Sequence, residues 1–260
     1  MSNMTRQTKE MLRRYADKYE RTFPSPDPSE VMLAAKGNDS NREATAFVAS
    51  CLSFGAITQF KPKIEQLVVF AGGDMDSWVR SGAFEQTIPN DANRKFYRFV
   101  TYANLRAFLC AYQRLMRTHG TLGKYVRATC DGTGLGAVKT ICAAFAGAGV
   151  GCLVPGDASS ACKRLCMFLR WMVRRGPSVD IGLWADFIDR KTLIMPLDTH
   201  VVTQARELGL LSKESATMST ARKLTALMAE VFPDDPVRGD FALFGLGRER
   251  AACAQERGRL

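Results

Sequence analysis

Long apolar runs are missing from this chain. No stretch approaches the roughly 20 residues a membrane-crossing helix needs, so no such span is expected. Cysteine pairing is missing too. Eight cysteines stand at 51, 110, 130, 142, 152, 162, 166 and 253, and none forms a Cys-x-x-Cys pair. Cys162 and Cys166 lie four apart, but no second pair completes a zinc or iron–sulfur set. Buried, reduced thiols are expected, with no metal and no cofactor. Strand-like alternation is absent over any useful length, and there are no repeats and no long low-complexity linker. The N-terminus, Met1-Ser2-Asn3-Met4-Thr5-Arg6, is polar and lacks the apolar stretch of a secretory signal, which points to the cytoplasm.

What is present is a basic, helix-patterned chain of 260 residues with 46% hydrophobic content, enough for a real core. Lysine and arginine number 36 against 26 acidic residues, a net charge of +10. Such a balance favours polyanionic partners, because each phosphate contact releases condensed counterions. It also serves plain solubility, but the charge clusters around one central helix.

The spacing predicts helices over 5–20, 42–54, 58–70, 103–118, 136–147, 159–175, 182–190, 199–208 and 219–231, with a last apolar element from Asp240. Thr22-Phe23-Pro24-Ser25-Pro26-Asp27-Pro28 breaks the first of them, and Gly176-Pro177 stops the basic helix. Residues 72–95 read as irregular. Gly132-Thr133-Gly134-Leu135-Gly136 reads as a loop, not a phosphate cradle. The fold class is all-α, a single helical domain over 1–260, and a monomer is expected.

Two stretches could carry chemistry. In the helix 159–175, Ala161, Leu165, Phe168, Leu169 and Met172 form a continuous core face. Lys163, Arg164, Arg170, Arg174 and Arg175 read as its exposed flank. The bland reading of Lys163 is a solvated cation; the functional one is a nucleophile activated by burial and neighbouring cations. In Met195-Pro196-Leu197-Asp198-Thr199-His200-Val201, Asp198 is a preferred N-cap placed after a proline. A cap alone explains it. A carboxylate at a helix start facing a cleft could also stabilise positive charge on a sugar or activate a nucleophile. His200, one of two histidines, reads as structural. Pro155-Gly156-Asp157-Ala158-Ser159-Ser160 leads into the basic helix, where backbone amides and serine hydroxyls suit a phosphate or serve a plain capped start.

These stretches, with Asp240-Phe241-Ala242-Leu243-Phe244-Gly245-Leu246-Gly247, resemble an uncharacterised bacterial family that is a remote branch of the helix-hairpin-helix DNA glycosylases, the endonuclease III and 8-oxoguanine glycosylase superfamily. The close resemblance runs from about Ala44 to Gly247; the superfamily's own rests on residues 153–206 and 240–248. It implies a two-lobed helical fold with a cleft between the lobes, the hairpin and catalytic turn lying within 153–206. It implies base excision from damaged duplex DNA as part of base excision repair. Asp198 matches the superfamily's catalytic aspartate. Val154-Pro155-Gly156 matches the start of its phosphate-binding hairpin, which puts Gly156, Ser159, Ser160, Arg164, Arg170, Thr199 and His200 on DNA. Ala158 replaces the hairpin's second glycine. In strict register the lysine of bifunctional members falls at Ser160; Lys163 takes that role, with lyase activity, only if its helix starts one turn later. Relatives carry a glutamine that fills the DNA gap at a segment resembling Leu52-Ser53-Phe54-Gly55, where Gly55 stands here. After Gly247 only Cys253 remains, so the iron–sulfur cluster of some relatives is not expected. Two other readings stay open: a DNA- or RNA-binding protein that kept the fold and lost the chemistry, and a helical interaction protein whose charge is incidental.

Overall fold

A computed structural model describes residues 4–21, 29–35, 37–176, 179–212 and 214–257. The proline-rich break at 22–28 and Pro177 of the expected stop lie outside the described residues.

Among the described residues the chain forms thirteen α-helices. They are α1 (Arg6–Arg21), α2 (Ser29–Leu33), α3 (Asp39–Leu52), α4 (Ile57–Phe70), α5 (Met75–Ser81), α6 (Phe84–Thr87), α7 (Tyr102–His119), α8 (Leu122–Thr129), α9 (Gly134–Phe145), α10 (Lys163–Val173), α11 (Thr199–Glu207), α12 (Met218–Ala229) and α13 (Arg238–Arg257). The chain is predominantly helical, as its periodicity implies.

α3 is the centre. The Asn38 side chain caps it, accepting from the Asn41 N–H at 3.0 Å, and nearly every residue beyond that point is buried. Phe47 sits within 5.0–5.6 Å, ring to ring, of Phe108, Tyr112, Phe145 and Phe168, so α7, α9 and α10 converge on one side chain. Glu43 is buried on the same helix, held by Trp184 Nε1–H at 2.8 Å and the Gly123 N–H at 3.0 Å. Burial raises its carboxyl above the ordinary range, against the pull of those two donors. Gly123 makes room for this contact, since a Cβ there would lie 2.6 Å from Trp184 Nε1. At the chain's two ends, α1 packs along α13, with the Tyr19 ring against the bare face of Gly245.

Three expectations need correction. Residues 72–95 are not irregular throughout, because α5 and α6 lie within them. Asp74 caps α5 by accepting from Ser77 N–H at 3.0 Å, a signal hidden among scattered glycines. A small hairpin exists, β1 (Lys95–Tyr97) paired antiparallel with β2 (Val100–Thr101). Strands of three and two residues are too short to show alternation. Finally, residues 182–189 form turns, not an α-helix, and Arg190 opens a single 3-10 turn over Arg190–Thr192. Two of their amides are claimed by α10: Gly182 N–H and Trp184 N–H donate to the Trp171 and Met172 carbonyls at 3.1 and 2.7 Å.

Candidate functional site

α10 starts at Lys163, about one turn later than the serines suggest. Ser159 does not cap it. Its N–H and hydroxyl both donate to the Asp157 carboxylate, at 2.8 and 2.5 Å, and hold that carboxyl below its ordinary range. Ser160 instead bridges to Thr217, in the segment before α12. The residue before the helix, Cys162, takes a left-handed backbone at φ 45°, which a non-glycine residue adopts at a cost. Lys163 is therefore the first helical residue, at the positive end of the α10 dipole.

α11 begins just as the sequence implies. Asp198 is its N-cap, with Oδ1 accepting from Val201 N–H at 2.9 Å. That leaves Oδ2, which lies 3.8 Å from Lys163 Nζ. The two side chains are each about a third exposed, at 34%. Thirty-five positions separate them in the chain, and the starts of two helices bring them together.

Both open onto a cavity of about 870 Å³. The end of α3 and its exit loop supply Ser53, Phe54 and Gly55; α11 supplies His200 and Arg206. The volume lies within the range of small-molecule sites. Behind the pair lies a chain of buried charges. Asp240 of α13 accepts from Arg170 at 2.6 Å, and Arg170 Nε lies 3.4 Å from Asp180. Asp180 is also held by Arg174, which in turn bonds Asp235 at 2.8 Å and Glu20. Burial raises the Asp240 carboxyl; Arg170 opposes that, and the charges of Asp198 and Lys163 reach it too. The candidate pair is thus the solvent-facing end of a charge chain running through the core.

The structure sorts the residues singled out above. Lys163, Asp198, Ser160, Arg164, Thr199 and His200 line one cavity. Gly156 and Ser159 are exposed, but Asp157 occupies the Ser159 donors that a phosphate would need. Arg164 is half-buried, donating to the Cys51 and Cys152 carbonyls with its guanidinium 4.9 Å over Phe54. It pins α10 to the end of α3. Arg170 and Arg174 are corrections: each side chain is 3% exposed, so neither belongs to a solvated flank and Arg170 is not open to a DNA phosphate. α10 is buried on all sides from Leu165 to Val173, and carboxylates distant in sequence meet its arginines. Asp240 and Arg206 carry no sign of a role in the sequence by themselves, although Asp240 opens one of the stretches on which the resemblance rests.

Among the described residues no three His, Cys, Asp or Glu side chains form a group able to hold a metal ion. All eight cysteines are free. No described helix is long and apolar enough to cross a membrane.

Residues 27–249 match the model of a family described as protein of unknown function (DUF2400). No curated protein matches the chain, and no solved structure does.

Proposed function

We propose that this chain, which belongs to the DUF2400 family, is a two-lobed helix-hairpin-helix glycosylase-like enzyme that excises a damaged base from DNA, with Lys163 as nucleophile and Asp198 as its carboxylate partner. The observation that carries the reading is the 3.8 Å approach of Lys163 Nζ to Asp198 Oδ2 at the mouth of a cavity of about 870 Å³. The resemblance required a helix start one turn later for Lys163 to serve, and α10 starts there.

The chemistry follows from the pair. Asp198 accepts a proton from the Lys163 ammonium, freeing a lone pair. The amine attacks C1′ of a flipped nucleotide, and the bond from C1′ to the base breaks with its electrons leaving on the base, which takes up a proton. Opening of the sugar ring puts a protonated C=N bond between C1′ and Lys163. Loss of the C2′ proton then expels the 3′ phosphate, which is the lyase step. Asp198 is held by its cap bond throughout, so little reorganisation is needed at the moment of reaction.

The test is borohydride trapping on a panel of lesion-bearing duplexes. Hydride reduces the C=N bond to a stable amine, so the wild type becomes cross-linked to its substrate strand. Lys163→Ala is expected to lose the adduct entirely while melting like the wild type. A full-strength adduct in Lys163→Ala removes it as the nucleophile.

A second reading, a nucleic-acid-binding protein without chemistry, is favoured by Asp157, whose carboxylate takes the Ser159 N–H and hydroxyl that a phosphate would need. Both readings require salt-dependent binding. With about six phosphate contacts, affinity for DNA should fall on the order of a thousandfold between roughly 50 and 200 mM salt. Titrations at several salt concentrations check this, and a flat response removes both.

A further inference from the structure

The hairpin β1–β2 places one large aromatic side chain in solvent. Phe99 at its tip is 68% exposed, and the other exposed large hydrophobic residues among those described, Val69 and Leu33, are aliphatic. A single exposed apolar residue is ordinary by itself. Its setting is not. The Arg98 guanidinium lies 5.3 Å from the Phe99 ring, is itself exposed, and makes no ion pair among the described residues. Arg98 has φ 49°, a left-handed backbone that an arginine adopts at a cost.

The tip is fastened to the cavity wall. The Tyr97 hydroxyl donates to the Phe54 carbonyl at 2.5 Å, and the two rings lie 4.9 Å apart. Gly55 lets Arg98 and Tyr97 approach, since a Cβ there would come within 2.7 Å of the Tyr97 hydroxyl. Phe54 and Gly55 line the cavity that holds Lys163 and Asp198. Cations surround the same hairpin. Lys63 sits 5.3 Å from the Phe96 ring, Arg94 sits 4.4 Å from the Tyr102 ring, and Lys95 is exposed. The carboxylate of this segment, Asp91, is turned inward to the Asn93 and Arg94 N–H groups at 2.9 and 3.0 Å.

We propose that the Arg98-Phe99 tip is a stacking platform for an unpaired base next to the cavity, so that the preferred nucleic acid is single-stranded or locally unpaired beside the reacting nucleotide. An exposed aromatic ring with an adjacent guanidinium and flanking cations is the arrangement that binds single strands: the ring takes the base face and the cations take the backbone. A paired base offers no such face, because its neighbours in the duplex already cover it. The inference rests on the nucleic-acid reading above and gives that substrate a strand state.

The experiment measures affinities of the full chain for a short single-stranded oligonucleotide, for a blunt duplex of the same sequence, and for vesicles of anionic phospholipid. The wild type should bind the single strand more tightly than the duplex. Phe99→Ala should weaken single-strand binding roughly ten- to hundredfold, the range for losing one base–aromatic stack, and change duplex binding little. Phe99→Trp should restore it; Phe99→Leu, apolar but without a π face, should not. All three should melt like the wild type, since the side chain is mostly in solvent. Unchanged single-strand binding in Phe99→Ala overturns this inference alone and leaves the excision reading intact. Absence of nucleic-acid binding by the wild type overturns both. Loss of vesicle binding with no loss of oligonucleotide binding overturns it in favour of a membrane surface.

Discussion

Asp198→Asn should fold as the wild type does and lose base excision. Asparagine caps a helix about as well as aspartate, so the bond from Val201 N–H to the side-chain oxygen survives and the melting temperature should hardly move. Facing Lys163, the amide cannot take a proton. Removing a positioned proton acceptor costs roughly a hundred- to ten-thousandfold in rate, and single-turnover excision should fall by that factor. Asp198→Ala should lose the same activity and in addition about 1 kcal/mol of stability, through the missing cap. The pair separates the two duties of one carboxylate. Excision at wild-type rate in the asparagine variant would leave Asp198 a cap and nothing more.

Arg174→Ala should destabilise the protein by about 3–5 kcal/mol, the range for breaking a buried ionic group. Arg174 is 3% exposed and answers three carboxylates: Asp180, Asp235 and Glu20. Asp180 is almost fully buried, and burial already raises its carboxyl against the opposing pull of Arg170 and Arg174. Without Arg174 these acids face one another in the core. Arg174→Lys should recover little, because three acceptors around one planar fork cannot be met by a single ammonium. The midpoint of urea unfolding measures the loss, and a change under 1 kcal/mol would mean that water or Arg238 replaces the missing charge. Arg238 is the near alternative, since it already bonds Glu20 at 3.0 Å.

The sequence was informative where local chemistry decides. Asp198 after Pro196 read as a helix start, and α11 begins there. The apolar run in 42–54 read as a central helix, and Phe47 became the hub of the core. It misled where distant partners decide. Arg170 and Arg174 look like a solvated flank, because the acids that bury them lie up to 154 residues away. Ser159 and Ser160 look like an N-cap, but Asp157 and Thr217 claim them, so α10 starts late. Lys163 gained its place at the cavity through that displacement. The hairpin that carries Phe99 is too short to leave any period at all.

The Arg174 cluster also bears on how the chain is made. Its acids come from α1, from the segment just before α13, and from the loop after α10. During synthesis α1 emerges before α13, yet that is the helix it packs along, encoded more than 200 residues later. Until Asp235 and α13 leave the ribosome, α10 carries a guanidinium with an incomplete set of partners, and α1 has no surface to cover. Closure of so long a loop is slow relative to local helix formation. Until α13 emerges, the growing chain therefore carries an apolar helix face and a cation both waiting, which is the interval when a chaperone would hold it.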